Sequence, residues 1–190
     1  MLSLIKPKEE KQMSLIEIVQ IPGVTFAIGK YPVTQKQYQE VMGVNPSYFQ
    51  GNPQNPVEKV SYNHAIAFCQ KLSEITGKNF RLPTESEWEY ACRAGTTTDY
   101  YFGDDKNQLK DYAWYNDNCK QITHPVGRKL PNTWGIYDMH GNVWEWCQEG
   151  VIRGGSWGFD SDSCRSASCI NYFRRAYRSN ILGFRVVCNN

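Results

Sequence analysis

The chain has 190 residues, 41% of them hydrophobic, which fits one domain with a real core, or at most one domain plus a tail. Its formal net charge is +2, from 21 Lys and Arg against 19 Asp and Glu, so charge gives no reason to expect general nucleic-acid or membrane-surface binding. No run of 18 apolar residues occurs, and no membrane span is expected.

Residues 1–13 read as a solvated tail and residues 14–190 as a single domain. Leu2, Leu4 and Ile5 are followed by Lys6, Lys8, Glu9, Glu10 and Lys11, too short and too charged for a secretory leader. That is the pattern of a cytoplasmic protein, and equally of an exported chain whose leader has been removed. Residues 24–28 predict a short strand, followed by Gly29 and an extended Tyr31-Pro32-Val33. Thr34 with Gln37 three residues on is a capping box, opening a helix that runs to about Met42 and stops at Gly43. Pro46, Gly51, Pro53 and Pro56 make the next stretch a loop.

Ser61 caps a second predicted helix over 62–76, with Ala65, Phe68, Cys69, Leu72 and Ile75 on one face and Gly77 at its end. Thr84 with Glu87 repeats the capping box, and Gly95 is expected to end that third helix. After Gly95 the helical signals stop. The apolar pieces 143–146 and 184–187 predict strands of a small sheet. Helices early and loop-bearing strands late indicate an α+β domain with much irregular surface. Aromatics at 14% argue against disorder in those loops.

The seven Cys are odd in number and no C-x-x-C occurs, so neither a zinc site nor a complete disulfide framework is expected. Residues 158–190 contain no Lys, Glu, Gln, Met or Trp, although these five types make up 44 of the 190 residues. At that rate the segment would hold about eight. The five missing types are those that no codon ending in a pyrimidine encodes, and such a codon is never a stop. Asn codons with their two adenines replaced at random would leave this gap, and would enrich Ser, Arg, Asn, Asp, Tyr, Cys, Ile and Phe, as here. The alternative is a Ser/Arg/Asn-rich surface segment biased by chance.

Several runs are more specific than periodicity. They are Gly29-Lys30-Tyr31-Pro32-Val33-Thr34, Asn45-Pro46-Ser47, Pro56-Val57-Glu58, Arg81-Leu82-Pro83-Thr84-Glu85 and Glu87-Trp88-Glu89-Tyr90-Ala91. The long run 135–146, then Arg153-Gly154-Gly155-Ser156-Trp157, Cys164-Arg165-Ser166-Ala167 and Gly183-Phe184-Arg185-Val186-Val187, complete the set. In this order, over about residues 20–187, the chain resembles the formylglycine-generating enzyme (sulfatase-modifying factor) family. The resemblance implies a decorated C-type lectin fold, α+β, with short helices early, a small antiparallel sheet and long irregular loops.

The fold carries several functions, so function must come from the site. Enzymes of the family oxidise a substrate cysteine with two cysteines of their own, and copper(I) suits such a thiolate pair. Cys164 and Cys169 have the enzyme-like spacing, which keeps a copper-dependent cysteine oxidase as the alternative reading. However, Cys164 sits in the Cys-Arg-Ser-Ala run of non-enzymatic relatives, and the enzymes' first cysteine position holds Gly158, Phe159 or Asp160. We read Cys164 as a buried scaffold thiol and Cys169 as incidental. A branch that uses iron takes His ligands from a domain absent here, and His64, His124 and His140 are scattered.

The resemblance is closer to the variable proteins of diversity-generating retroelements, which place a variable region between Gly-Gly-Ser-Trp and Gly-Phe-Arg-Val-Val. It implies a non-enzymatic binding protein with no required cofactor, whose diversified surface spans about 158–182 and takes a partner expected to be a protein. Trp157, Phe184 and Val186 are expected to anchor the segment, with Arg165 and Arg185 tying it down through carbonyls. The candidate face is Phe159, Asp160, Asp162, Ser163, Ser168, Ile170, Asn171, Tyr172, Phe173, Tyr177, Ser179, Asn180 and Ile181. Aromatics beside small polar residues give rigid contact area with adaptable hydrogen bonding. The alternative places Ile170, Phe173 and Ile181 in the core on short strands. The resemblance also implies a structural calcium loop, with Asp138 and Glu145 as side-chain ligands and Gly141 and Val143 as carbonyl ligands; equally, the two carboxylates could bond backbone amides.

Overall fold

The computed structural model describes residues 15–171 and 174–189. The predicted tail 1–13, and Tyr172 and Phe173 of the candidate face, lie outside the described residues.

Local sequence sets the helices. Helix α1 (Gln35–Met42) and helix α2 (Tyr62–Thr76) each begin with a reciprocal capping box, Thr34 with Gln37 and Ser61 with His64. Each ends on a left-handed glycine, Gly43 at φ 80° and Gly77 at φ 68°. Helix α3 (Glu85–Arg93) opens with the Thr84–Glu87 box, but its left-handed cap is Ala94 at φ 47°, not Gly95. The Ala94 amide still closes the helix on the Tyr90 carbonyl at 3.2 Å. Ala65, Phe68, Cys69 and Leu72 are buried as expected, whereas Ile75 is 54% exposed in the last turn of α2, beyond the end of the core. A single turn, α4 (Leu109–Tyr112), follows later.

Two four-stranded sheets organise the rest. The first has the order β1 (Ile18–Gln20), β2 (Phe26–Gly29), β8 (Val187–Asn189), β3 (Asn79–Arg81), all antiparallel. The second has the order β6 (Cys169–Asn171), β5 (Val151–Arg153), β4 (Trp144–Trp146), β7 (Leu182–Gly183). In it β4 pairs antiparallel with β5 and parallel with β7, at Trp144↔Leu182 and Glu145↔Gly183.

Of the predicted strand 184–187, Val187 opens β8, whereas residues 184–186 are an irregular crossing between the sheets, from β7 to β8. Its carbonyls are used all the same. Phe184 O accepts from Val33 N at 2.9 Å, and Val186 O from Gly29 N at 2.8 Å. The crossing lies inside the main core, where Phe184 and Val186 are buried with Tyr38, Phe68, Trp144 and Trp146. Phe68 meets Tyr38 face to face at 5.4 Å and Phe184 edge-on at 5.2 Å. A second cluster, around Trp88, Ile136, Met139 and Val187, fills the space on α3.

Candidate functional site

The frame of the site is a buried ion pair. Arg185 and Glu145 are 0% and 1% exposed, and the guanidinium grips the carboxylate with two bonds, Nε to Oε2 at 2.6 Å and Nη2 to Oε1 at 2.7 Å. Trp88 Nε1 donates to the same Oε2 at 2.7 Å. Arg185 also donates to the carbonyls of Gly29 at 3.1 Å and Tyr137 at 2.9 Å, the carbonyl tie expected of it. Arg165 behaves differently: it pairs with the side chains of Asp162 at 2.7 Å and Asp99 at 3.4 Å. Gly183 is required at the joint, because a Cβ there would meet the Val57 carbonyl.

The segment between the anchors is held by its backbone. Phe159 O accepts from Asn116 N, and Ser179 O from Lys59 N, both at 3.0 Å. Asn180 O accepts from Trp157 Nε1 at 3.0 Å, and Ile181 O from Trp144 N at 2.7 Å. Ser161 O takes the Tyr100 hydroxyl at 2.9 Å. In the middle β6 pairs with β5, Ile170 opposite Ile152. Residues outside the segment therefore fix its path through groups that every residue type shares.

Asp160, Asp162, Asn171 and Tyr177 are exposed. Phe159, Ser163, Ser168, Ile170, Ser179, Asn180 and Ile181 are half-buried. Phe159, Ile170 and Ile181 pack against the main core, so these three are divided between surface and interior. Asp160 accepts from the Ser163 amide at 2.9 Å and its hydroxyl at 2.8 Å, and the amide bond first of all holds its carboxyl below the usual range. Trp157 is half-buried rather than a core anchor, and stacks edge-on against Phe49 at 5.3 Å.

That contact brings in residues that sequence reasoning missed. The 44–50 loop reaches the segment through Phe49 and presents Tyr48, 65% exposed, and Val44, 59% exposed. Lys59 crosses from the other side, its Nζ 5.8 Å from the Tyr48 ring. Beneath the loop, buried Glu58 accepts from the Phe49 amide through Oε1 at 2.7 Å, while Oε2 has no partner among the described residues. Burial pushes its carboxyl up to about 7. The adjacent aromatics Tyr48 and Phe49 inside a Pro-rich loop were the available signal.

The carboxylates of the expected calcium loop are already engaged. Both oxygens of Glu145 are held by Arg185 and Trp88, and the guanidinium stands where a cation would have to approach. Asp138 Oδ2 accepts from the Gly127 amide at 2.7 Å, and burial raises its carboxyl to about 6. Gly141 and Val143 are buried in the same loop. A carboxylate already paired with a guanidinium, beside one bonded to a backbone amide, does not fit a hard cation. Cys164 is fully buried, close enough under Gly155 that a Cβ there would lie 2.5 Å from its sulfur, and Cys169 is exposed on β6. Burial pushes both thiols up, the reverse of what a thiolate ligand or nucleophile needs. His64 caps α2, His124 stacks on Trp114 at 3.8 Å, and buried His140 bonds the Cys164 carbonyl. Among the described residues no three His, Cys, Asp or Glu gather around a metal-sized point.

The chain is 34% identical to the chaperone protein LppX of Paenibacillus barcinonensis over 174 residues, 65% of this chain and 62% of that one. It is 41% identical to the formylglycine-generating enzyme of Mycobacterium tuberculosis over 103 residues, 48% of this chain and 32% of that one. The chain thus spans less than two thirds of either relative. Among solved structures, variable protein 1 of Treponema denticola superposes with a TM-score of 0.84 at 30% identity, covering 92% of each chain. The fold is the C-type lectin fold of the formylglycine-generating type, α+β with two small sheets. The family model for the sulfatase-modifying factor enzyme 1-like domain matches residues 16–190, and the chain belongs to that family.

Proposed function

We propose that this domain is a non-enzymatic binding protein that displays a retroelement-diversified segment, residues 158–182, to a macromolecular partner. The observation that carries it is where the compositional gap begins. The stretch without Lys, Glu, Gln, Met and Trp starts just beyond Trp157 and runs through 190, and residues 158–182 are the part of it that precedes the return to the frame at β7. Within those limits constant residues bind the backbone and leave Asp160, Asp162, Asn171 and Tyr177 outward. The likeness to Treponema denticola variable protein 1 supports the reading. The cysteine-oxidase alternative is disfavoured by the opposite burial of Cys164 and Cys169.

Sequencing the gene's surroundings tests the proposal. A nearby repeat that matches the codons for 158–182 except at adenines, beside a reverse transcriptase gene, is the expected result. A clonal locus with no such repeat overturns it. Formation of aldehyde on a sulfatase-motif peptide under copper and oxygen, lost on Cys164→Ser or Cys169→Ser, would establish the oxidase instead.

A further inference from the structure

The turn formed by residues 174–178 carries Arg174, Arg175 and Arg178 and no carboxylate, and all three arginines are exposed. It lies along the chain entering α2. Arg175 O accepts from the Asn63 amide at 3.5 Å, and the Arg175 guanidinium stands 5.2 Å from the Tyr62 ring. Arg178 is near enough to His64 for its charge, after burial, to hold that imidazole below the usual range. Lys59 joins the group from the adjoining turn. It takes a left-handed backbone, φ 58°, unusual for a residue with a side chain, and its amide holds Ser179 O.

Among the described residues, none of these four cations forms an ion pair. The adjacent carboxylate, Glu58, is buried and turned to the Phe49 amide. The opposite end of the same segment has the other sign. Residues 158–165 hold Asp160, Asp162 and Arg165, and because Arg165 pairs with both Asp162 and Asp99, the carboxylates outnumber the cation there. The displayed face is therefore basic at one end and acidic at the other, with Trp157 and exposed Tyr48 belonging to the loop and anchor that adjoin it.

Charge complementarity selects the partner class. A nucleic acid or an anionic bilayer presents one sign throughout, gaining at the arginines and losing at the aspartates. A protein surface can reverse sign over the same span. We infer, on the display reading above, that the end formed by Lys59, Arg174, Arg175 and Arg178 docks a carboxylate-rich segment of a protein. Aromatic residues of that segment pack beside Tyr48.

Fluorescence anisotropy with the intact chain tests this, at a salt concentration of about 0.05 M to limit screening. The probes are a labelled peptide of about twelve residues built from Glu, Tyr and Gly, its Glu→Gln counterpart, a single-stranded oligonucleotide of equal length, and phosphatidylglycerol vesicles. The Glu peptide should bind about tenfold or more tightly than the Gln peptide. Arg174→Glu with Arg175→Glu and Arg178→Glu should lose about tenfold, and the milder Arg175→Gln with Arg178→Gln should lose part of that. Asp160→Asn with Asp162→Asn should lose none. Equal binding of the two peptides, indifference to the arginine variants, or tighter binding of the oligonucleotide or vesicles overturns the inference. A template repeat at the locus combined with any of these failures leaves the display function standing without its acidic partner. Charge-dependent binding at a clonal locus removes the diversification and keeps the docking chemistry.

Discussion

Arg185 and Glu145 meet through two short bonds in a space that water does not enter, 40 positions apart in the chain. The pair joins the crossing between the sheets to β4, and Trp88 adds α3 to the same carboxylate. Arg185→Met leaves Glu145 charged and buried, and should destabilise the domain by about 3–5 kcal/mol in urea unfolding. Replacing both partners with apolar residues should cost less than the single change. A single-variant loss below about 1 kcal/mol would mean the pair does not hold the frame.

Glu58 predicts a pH dependence. Burial raises its folded pKa from 4.5 to about 7, so the folded state keeps a proton that the unfolded state releases. Its contribution is complete below about pH 4.5 and is lost as pH rises towards 7, on the order of 3 kcal/mol over that window. Asp138, raised to about 6, adds a term of the same sign. His140, pushed by burial from 6.5 to about 3, opposes both, since its contribution is present above 6.5 and lost on acidification. Glu58→Gln should therefore gain stability over wild type between pH 5 and pH 8. Parallel stability curves for the two proteins would refute the assignment.

Three helices could be read from sequence because each start is written locally, at Thr34–Gln37, Ser61 and Thr84–Glu87. Strands β1 and β3 could not, because three residues such as Ile18–Gln20 show no measurable alternation and become strands only through partners far away. The same holds for the site. The segment 158–182 was visible as a compositional gap, whereas Tyr48 and Lys59 joined it only through contacts with the segment or with each other. The Arg185–Glu145 pair was hidden for a related reason, because nothing near Glu145 in sequence announces a guanidinium.

The loop 138–145 should be insensitive to calcium. With Glu145 already engaged by Arg185 and Trp88, thermal unfolding in millimolar calcium and in chelator should give the same midpoint. A rise of several degrees with calcium would restore the cation site.

Scaffold and display positions should separate sharply. Gly183→Ala forces a Cβ onto the Val57 carbonyl and should cost about 1–3 kcal/mol or prevent folding. Asn171→Ala and Tyr177→Ala, at exposed positions, should each stay within about 0.5 kcal/mol of wild type. Comparable losses at both kinds of site would contradict the division.

Cys169 is the exposed thiol among seven free ones. A thiol-reactive dye should modify a single cysteine in the folded protein and all seven after denaturation. Rapid native labelling of more than one would show that the interior thiols are accessible.

Strand β8 lies between β2 and β3, yet it is made after the whole 158–182 segment. The sheet that holds β1 and β2 cannot close until a ribosome has passed the codons for that segment, and a chain cut short before β8 leaves two bare strand edges and no Arg185. A chain cut short there would be open to proteolysis as an incomplete fold, so the sheet nearest the start of the chain reports that synthesis has reached its end.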